Sequence, residues 1–239
     1  MHSTLDAYLE TEEHMLSFIN YFLIISFIEV CNRLRLLTWS VSGRENLPPR
    51  PQGLILAVNH VHWHDIPLIG WGVPLSHRPW WFAKVDLVDG LFGRWFTMMQ
   101  VIPVRRGQRD IQAIERAADR VAQGAVLVIF PEGTRGFDGK LQQGRGGTAR
   151  IALRARAQIV PVAIVGNQRK FWFSKRHIHF GKPYTPEIRD GNLDKIPAPE
   201  MARLTNEIML HIAALLPSEY HGFYAEEMTK AAQTPVERL

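Results

Sequence analysis

The sequence predicts an α/β domain with a largely parallel or mixed central sheet flanked by helices, preceded by an apolar N-terminal helix. Three observations lead there. Short apolar runs of strand length alternate with longer stretches of helical period, the pattern of a layered α/β domain. An almost unbroken apolar segment, MLSFINYFLIISFIEVC, occupies residues 15–31. The chain has 239 residues, 46% of them hydrophobic and 21% charged, which suffices for one sizeable domain with its own core.

The opening MHSTLDAYLETEEH is acidic and polar, unlike the basic start of a secretory signal. Residues 15–31 lie at the lower edge of the length that spans a bilayer, and Asn20 and Glu29 interrupt them. Arg33, Arg35 and Trp39 follow; cations and a tryptophan beside an apolar helix predict attachment at a membrane interface rather than a true span. A buried core helix is the alternative. ENLPPRPQG (45–53) is a Pro-rich connector. GLILAVNH (53–60) predicts a buried strand running into a loop, and RPWWFAK (78–84) a second strand. DIQAIERAADRVAQG (110–124) predicts an amphipathic helix, with Ile111, Ile114, Ala118 and Val121 on its apolar stripe and Gly124 as its stop. AVLVIF (125–130) and IVPVAIVG (159–166) are strands, with a helix between them over 146–158. PEMARLTNEIMLHIAALLP (199–217) is a late amphipathic helix. The organisation expected is a membrane-associating segment at 1–40, one domain at 41–224 and a polar tail at 225–239.

The formal net charge of +5 suits anionic partners, whether phospholipid headgroups, phosphorylated metabolites, an acidic carrier protein or nucleic acid, and is also common on basic soluble surfaces. The single cysteine, Cys31, excludes an intrachain disulfide and an all-cysteine zinc site. QRKFWFSKRH (168–177) interleaves aromatics and cations, as a membrane interface or a base-stacking surface does, or forms a plain strand with Phe171 and Phe173 facing the core. GRGGTA formally matches a dinucleotide fingerprint but lacks the strand-turn-helix context.

Two stretches carry candidate chemistry. VNHVHWHDIP (58–67) places histidines at 60, 62 and 64 with Asp65 after the last. In a metal reading the three histidines line one face of an extended segment. In a base reading, a strand-to-helix turn folds Asp65 back onto the ring of His60, the orienting partner a proton-transfer base needs. Asn59 would fix that turn locally. VIFPEGTRG (128–136) follows a strand, at the end where open α/β sheets bind ligands. There Gly133 permits close backbone approach, Arg135 suits a phosphate, and Thr134 and free N–H groups add donors.

Together these stretches resemble the glycerolphosphate and lysophosphatidate acyltransferases of phospholipid synthesis. That family carries, in order, Asn-His-x-x-x-x-Asp, an apolar block ending in Arg-Gly, Phe-Pro-Glu-Gly-Thr-Arg and an apolar Val-Pro-Val block. NHVHWHD (59–65), VIPVRRG (101–107), FPEGTR (130–135) and IVPVAIVG (159–166) match them. FAKVDL (82–87), LQQGRGGTARIAL (141–153) and HFGKPY (179–184) are also similar, and the resemblance covers roughly residues 40–185. It departs at Arg105, where relatives often carry an acidic residue, and at QQG, where relatives often show Phe-Lys-x-Gly.

The resemblance implies transfer of a fatty acyl group from acyl-CoA or acyl carrier protein to the hydroxyl of lysophosphatidate, giving phosphatidate. It implies a cytoplasmic membrane face, no bound cofactor or metal and no nucleic-acid partner. His60 is then the base and Asp65 its partner. Arg106 and Arg135 hold the acceptor phosphate, with Lys84 assisting. Glu132 braces its loop or an arginine, or meets the acceptor; amides near Gly133 and Thr134 face the oxyanion. Other lysolipids or an amino lipid are alternative acceptors. A metal-dependent hydrolase built on His60, His62 and His64 is the alternative of another class, and intact His60 and Asp65 argue against a non-catalytic lipid-binding protein.

Overall fold

The computed structural model describes residues 2–91, 93–105, 110–136, 138–166, 174–193 and 195–233, with the backbone alone at 2–14 and 232. The apolar runs form strands β1 (Trp39–Ser42), β2 (Leu54–Val58), β3 (Pro79–Lys84), β4 (Val101–Val104), β5 (Val126–Ile129), β6 (Gln158–Val165) and β7 (Arg176–Phe180). The helices are α1 (His2–Arg33), α2 (Asp65–Gly72), α3 (Val85–Val88), α4 (Gly93–Met98), α5 (Ile111–Ala122), α6 (Gly147–Ala155), α7 (Ala198–Ala213) and α8 (Ala225–Gln233). The strands make one mixed sheet in the order β1-β7-β6-β2-β5-β3-β4. From β6 to β4 neighbours run parallel; β7 is antiparallel to β6, and β1 is parallel to β7.

The core explains why β2 reads LILAV without a polar residue. A central parallel strand is covered on both faces and needs no polar alternation. Ile55 and Ala57 face the layer that carries α5, α6 and α7, while Leu54, Leu56 and Val58 face α1 and α2. In α5 the buried stripe is Ala113, Ala117, Ala118 and Val121, and Ile111, expected on that stripe, is exposed. Ile111 is the first residue of α5, at the open end of the stripe. Asp110 caps α5 by accepting the Ala113 N–H at 2.9 Å, and Gly124 takes the left-handed φ of 95° that ends the helical segment.

The N-terminal apolar helix has two unlike sides. On one, Ser17, Tyr21 and Ile28 are buried. The Tyr21 hydroxyl donates to the Gly70 carbonyl at 2.7 Å, and the Trp71 indole N–H donates to Glu29 at 2.8 Å, fixing α1 to α2. Arg78 donates to the Ser17 hydroxyl and the Met98 carbonyl, tying α1 to α4. On the other side Phe18, Phe22, Leu23, Phe27 and Val30 are exposed. The Met15–Arg33 segment is long and apolar enough to cross a membrane, yet only 17% of it is buried within the protein. Trp39, expected as an interface anchor, instead lies in β1, buried edge-on against Trp71 at 5.9 Å between ring centres. The sequence expected as a polar tail forms α8 over Ala225–Gln233.

Asn59 makes a long-range contact in place of the local one expected of it. Its amide donates to the Ile164 carbonyl at 3.1 Å and accepts the Ile164 N–H at 2.7 Å, joining the end of β2 to the end of β6. Both residues are buried, so truncation strands two backbone groups, each at about 1–3 kcal/mol. Asn59→Ala should therefore lower the unfolding free energy by about 2–4 kcal/mol in a urea titration; a loss below about 0.5 kcal/mol would show that the bridge carries no stability.

Candidate active site

The two sequence stretches meet because their strands are neighbours in register. β2 and β5 run parallel with Ala57 opposite Ile129. Three residues beyond each, His60 and Glu132 arrive at the same level. Glu132 Oε1 accepts the His60 backbone N–H at 2.8 Å, and Oε2 accepts the Gln142 N–H at 2.8 Å. The His60 carbonyl accepts from the Gly136 N–H at 2.9 Å. One buried carboxylate thus staples three loop segments, and Glu132 braces backbone rather than an arginine. Burial pushes its pKa up to about 7, against the lowering effect of the two N–H donors; the negative charges of Asp65 and Asp138 add to the rise.

The turn after β2 does what the base reading requires. Asp65 starts α2 and is fully buried. Its Oδ2 accepts from His60 Nδ1 at 3.0 Å and from the Val61 and His62 N–H groups at 2.8 Å each. With its proton on Nδ1, the His60 ring presents Nε2 as the lone pair. The ring stacks on Phe130, 3.8 Å between centres at 16° between planes. His60 is therefore held by its amide, its carbonyl, one ring nitrogen and one ring face, and it lines a cleft of about 720 Å³.

His62 and His64 point elsewhere. Their rings stack on each other 4.7 Å apart, and Trp63 lies against His64. Burial, reinforced by the charge of Arg176, pulls the His64 pKa down to about 4, so this ring is neutral at physiological pH. Among the described residues no group of three or more His, Cys, Asp or Glu side chains converges as a metal site would require. His177 and His179 lie on β7, bonded to Ser40 and Ser42 of β1.

Other expected residues divide. Gly133, Thr134 and Arg135 line the cleft beside His60. Gly133 has φ 68°, a left-handed conformation that favours glycine, and the Arg145 side chain packs close beside it. Its own N–H donates to the Phe130 carbonyl at 3.0 Å, which removes it as an oxyanion donor. Among the described residues the Thr134 and Arg135 amides have no acceptor. Lys84 stands exposed at the end of β3, outside the cleft lining. Arg106 falls outside the described residues, as does most of the 168–177 stretch. The neighbouring Arg105 lines the cleft.

Sequence reasoning missed Phe130, Arg145, Arg150 and Thr148, all in the cleft lining. Phe130 is the residue before Pro-Glu-Gly, where a strand's last side chain turns toward the next loop. The others belong to the glycine segment that matches a dinucleotide fingerprint in form only. Apolar lining comes from β3, α5 and β5, through Trp81, Phe82, Ala113, Ile114 and Ile129. Asp110 is the one carboxylate among the lining residues; it is engaged with the Ala113 and Arg105 N–H groups, whose hydrogen bonds hold its pKa below the usual range.

The fold and motifs match known proteins. The chain is 29% identical over 189 residues to the lyso-ornithine lipid O-acyltransferase of Pseudomonas aeruginosa, covering 77% of this chain and 67% of that protein. It is 26% identical over 148 residues to a 1-acyl-sn-glycerol-3-phosphate acyltransferase of Chlamydomonas reinhardtii, covering 53% of this chain and 38% of that one. It spans little more than a third of the length of such algal and plant relatives, 36–38%. The crystal structure of the 1-acyl-sn-glycerophosphate acyltransferase PlsC from Thermotoga maritima superposes with a TM-score of 0.60 over 79% of this chain and 76% of that one, at 23% identity, and shares the fold. Residues 39–165, more than half of the sequence, match the acyltransferase family, and the chain belongs to that family.

Proposed function

We propose that this protein moves a fatty acyl group from a thioester, on coenzyme A or acyl carrier protein, to the free hydroxyl of lysophosphatidate, giving phosphatidate. The observation that carries the reading is the His60–Asp65 pair, which opens onto a cleft lined by apolar side chains and four arginines. His60 Nε2 takes the hydroxyl proton as the oxygen bonds to the thioester carbonyl carbon. The carbonyl electrons move to oxygen, where the Thr134 and Arg135 amides are the nearest free donors of the loop. Collapse breaks the C–S bond, and the imidazolium returns its proton to the departing thiolate. Asp65 holds the tautomer throughout and offsets the imidazolium charge. No protein nucleophile takes part; Cys31 lies on α1 and is not among the residues that line the cleft. Arg135 and Arg105, which both line the cleft, are the site for the acceptor's phosphate, and Arg106 is assigned to it by the motif resemblance alone.

An amino-lipid acceptor is the second reading. The match to a lyso-ornithine lipid acyltransferase extends over 77% of the chain, against 53% for the algal lysophosphatidate enzyme. The cleft arginines favour a phosphate. An acceptor panel of lysophosphatidate, lysophosphatidylcholine and lyso-ornithine lipid separates the two.

The exposed stripe of α1 supports docking on a membrane at its cytoplasmic face. The buried stripe ties the same helix to α2 and α4, which suits a helix lying in the interface more than one crossing it alone. Burying a phenylalanine contributes about 1.5–3 kcal/mol, so Phe22→Gln combined with Phe27→Gln should weaken vesicle binding at least about tenfold in sedimentation assays. Unchanged binding would place the membrane contact elsewhere.

Thiol release from acyl-CoA should depend on lysophosphatidate and fall about 10²–10⁴-fold in His60→Ala. His62→Ala, with chelator present, should stay within a fewfold of wild type. Equal losses in both variants would sink the base assignment.

Glu132 has its own pH signature. Its folded pKa lies above the unfolded value, so its contribution to stability is complete below about pH 4.5 and lost as pH rises through about 7. Glu132→Gln cannot titrate. Between about pH 4.5 and 8 the unfolding free energy of the variant should gain on wild type by on the order of 3 kcal/mol. A pH-independent gap in denaturant titrations would show that the buried carboxylate is not strained.

A further inference from the structure

The cleft has a second polar end that the acceptor site leaves unused. α6 begins at its wall, and Gly146, Gly147 and Thr148 all line it. The N-cap is Gly146, and no side chain caps the helix, so the first-turn N–H groups lack the acceptor that Ser, Asp or Asn supplies elsewhere. Space beside the backbone is open: a Cβ at Gly147 would meet nothing within 4 Å. Thr148 is 1% exposed, and its hydroxyl has no hydrogen-bond partner among the described residues. Buried hydroxyls without partners are uncommon in folded proteins, and this one belongs to a residue of the cleft wall, where a small side-chain shift would bring it to a ligand. Arg145 precedes the helix and Arg150 lies within its first turns; both line the cleft, and neither has a carboxylate partner among the described residues. A positive helix end, free N–H groups, a hydroxyl and two guanidinium groups together bind an anion.

Two features say which anion. Arg145 packs against Gly133 and is shared with the acceptor loop, whereas Thr148 and Arg150 belong to this end alone. Arg150 also lines a second hollow of about 290 Å³, with Arg154 one turn further along α6 and Leu193 and Ile196 opposite. Arg154 is paired at 3.4 Å with Glu115 of α5. The anion end of the cleft therefore continues outward along a basic track. A lysolipid head ends at its phosphate and needs no such exit. A thioester donor does: its pantetheine arm ends in a phosphate, beyond which lies a nucleotide or a whole carrier protein. We infer that the N-terminus of α6, with Thr148 and Arg150, is the subsite for the phosphate at the end of the acyl donor's pantetheine arm, and that the Arg150–Arg154 track leads the attached nucleotide or carrier protein out of the cleft. This rests on the acyl-transfer reading for the identity of the donor.

The test is calorimetric binding of pantetheine, 4′-phosphopantetheine, coenzyme A and holo acyl carrier protein, none of which requires turnover. Wild type should bind 4′-phosphopantetheine at least tenfold more tightly than pantetheine. Thr148→Val and Arg150→Gln should each cut that advantage at least threefold and leave pantetheine unchanged. Arg154→Gln should weaken coenzyme A or the carrier protein, and whichever responds is the natural donor. Thr148→Val is near-isosteric and removes an unpartnered hydroxyl, so the ligand-free variant should melt no lower than wild type. A phosphate advantage that survives both variants, or is absent from wild type, overturns the subsite. So does a raised KM for lysophosphatidate with donor binding intact, since the acceptor would then occupy this end. A protein that binds phosphopantetheine as expected but transfers no acyl group keeps the subsite and loses the acyl-transfer reading.

Discussion

Much of this site hangs on one oxygen atom. Asp65 Oδ2 takes donors from the His60 ring and from two successive backbone amides, inside a fully buried pocket. A carboxylate buried without such partners is prohibitively costly, so the turn cannot open without stranding it. The same contact starts α2, whose inner face packs on the sheet, and orients the one imidazole among the cleft-lining residues. Arg176 of β7 is buried as well; burial pulls its guanidinium pKa down, and the Asp65 charge opposes that pull. Stability and chemistry are thus joined: the geometry that gives His60 a fixed tautomer also supplies the buried carboxylate with its donors.

Register extends this constraint to the second loop. β2 and β5 are short, wholly apolar strands whose alignment is set by which side chains face which helical layer. A slip of one residue would invert both faces, so the pairing of Ala57 with Ile129 is strongly specified. That pairing brings the Glu132 staple into reach, and with it the position of Gly133, Thr134 and Arg135. Within this loop Glu132 and Gly136 both make long-range contacts to His60.

These relations divide the legible from the illegible in the sequence. β2, β3, β5, β6 and the helices α5, α6 and α7 are readable because apolar period is a local property. The return of Asp65 onto His60 is readable as an option, since a turn of that length can close. The strand order is not: β7 runs against β6, and β1 joins the sheet beside β7, only because distant chain segments pair. β1 is four residues long, too short to show a period, and so Trp39 reads as an interface residue when it is core. Lys84 is placed by resemblance alone, and strand geometry puts it outside the cleft. Arg145, Arg150 and Thr148 cannot be assigned from spacing, because their relation to the cleft depends on how the loop after β5 folds back, with the Arg145 amide on the Pro131 carbonyl at 2.8 Å.

The charge of the cleft has its origin in the same folding back. Arg105, Arg135, Arg145 and Arg150 arrive from two loops and one helix at a single cavity. Its one lining carboxylate, Asp110, is turned toward backbone amides and forms no close ion pair with the four, though the charge of Arg105 acts on it. Four like charges around one cavity repel, and water screens that repulsion only while the cavity is wet. A ligand that enters with an apolar tail displaces the water and must bring negative charge to compensate. On the proposed function, such a cleft favours molecules that are amphipathic and anionic at once over neutral lipids, which would leave the arginines unpaired. Because four cations exceed what one phosphate monoester neutralises, the arrangement is better matched when two anionic molecules are bound together, as the proposed direct transfer between a donor and an acceptor would demand.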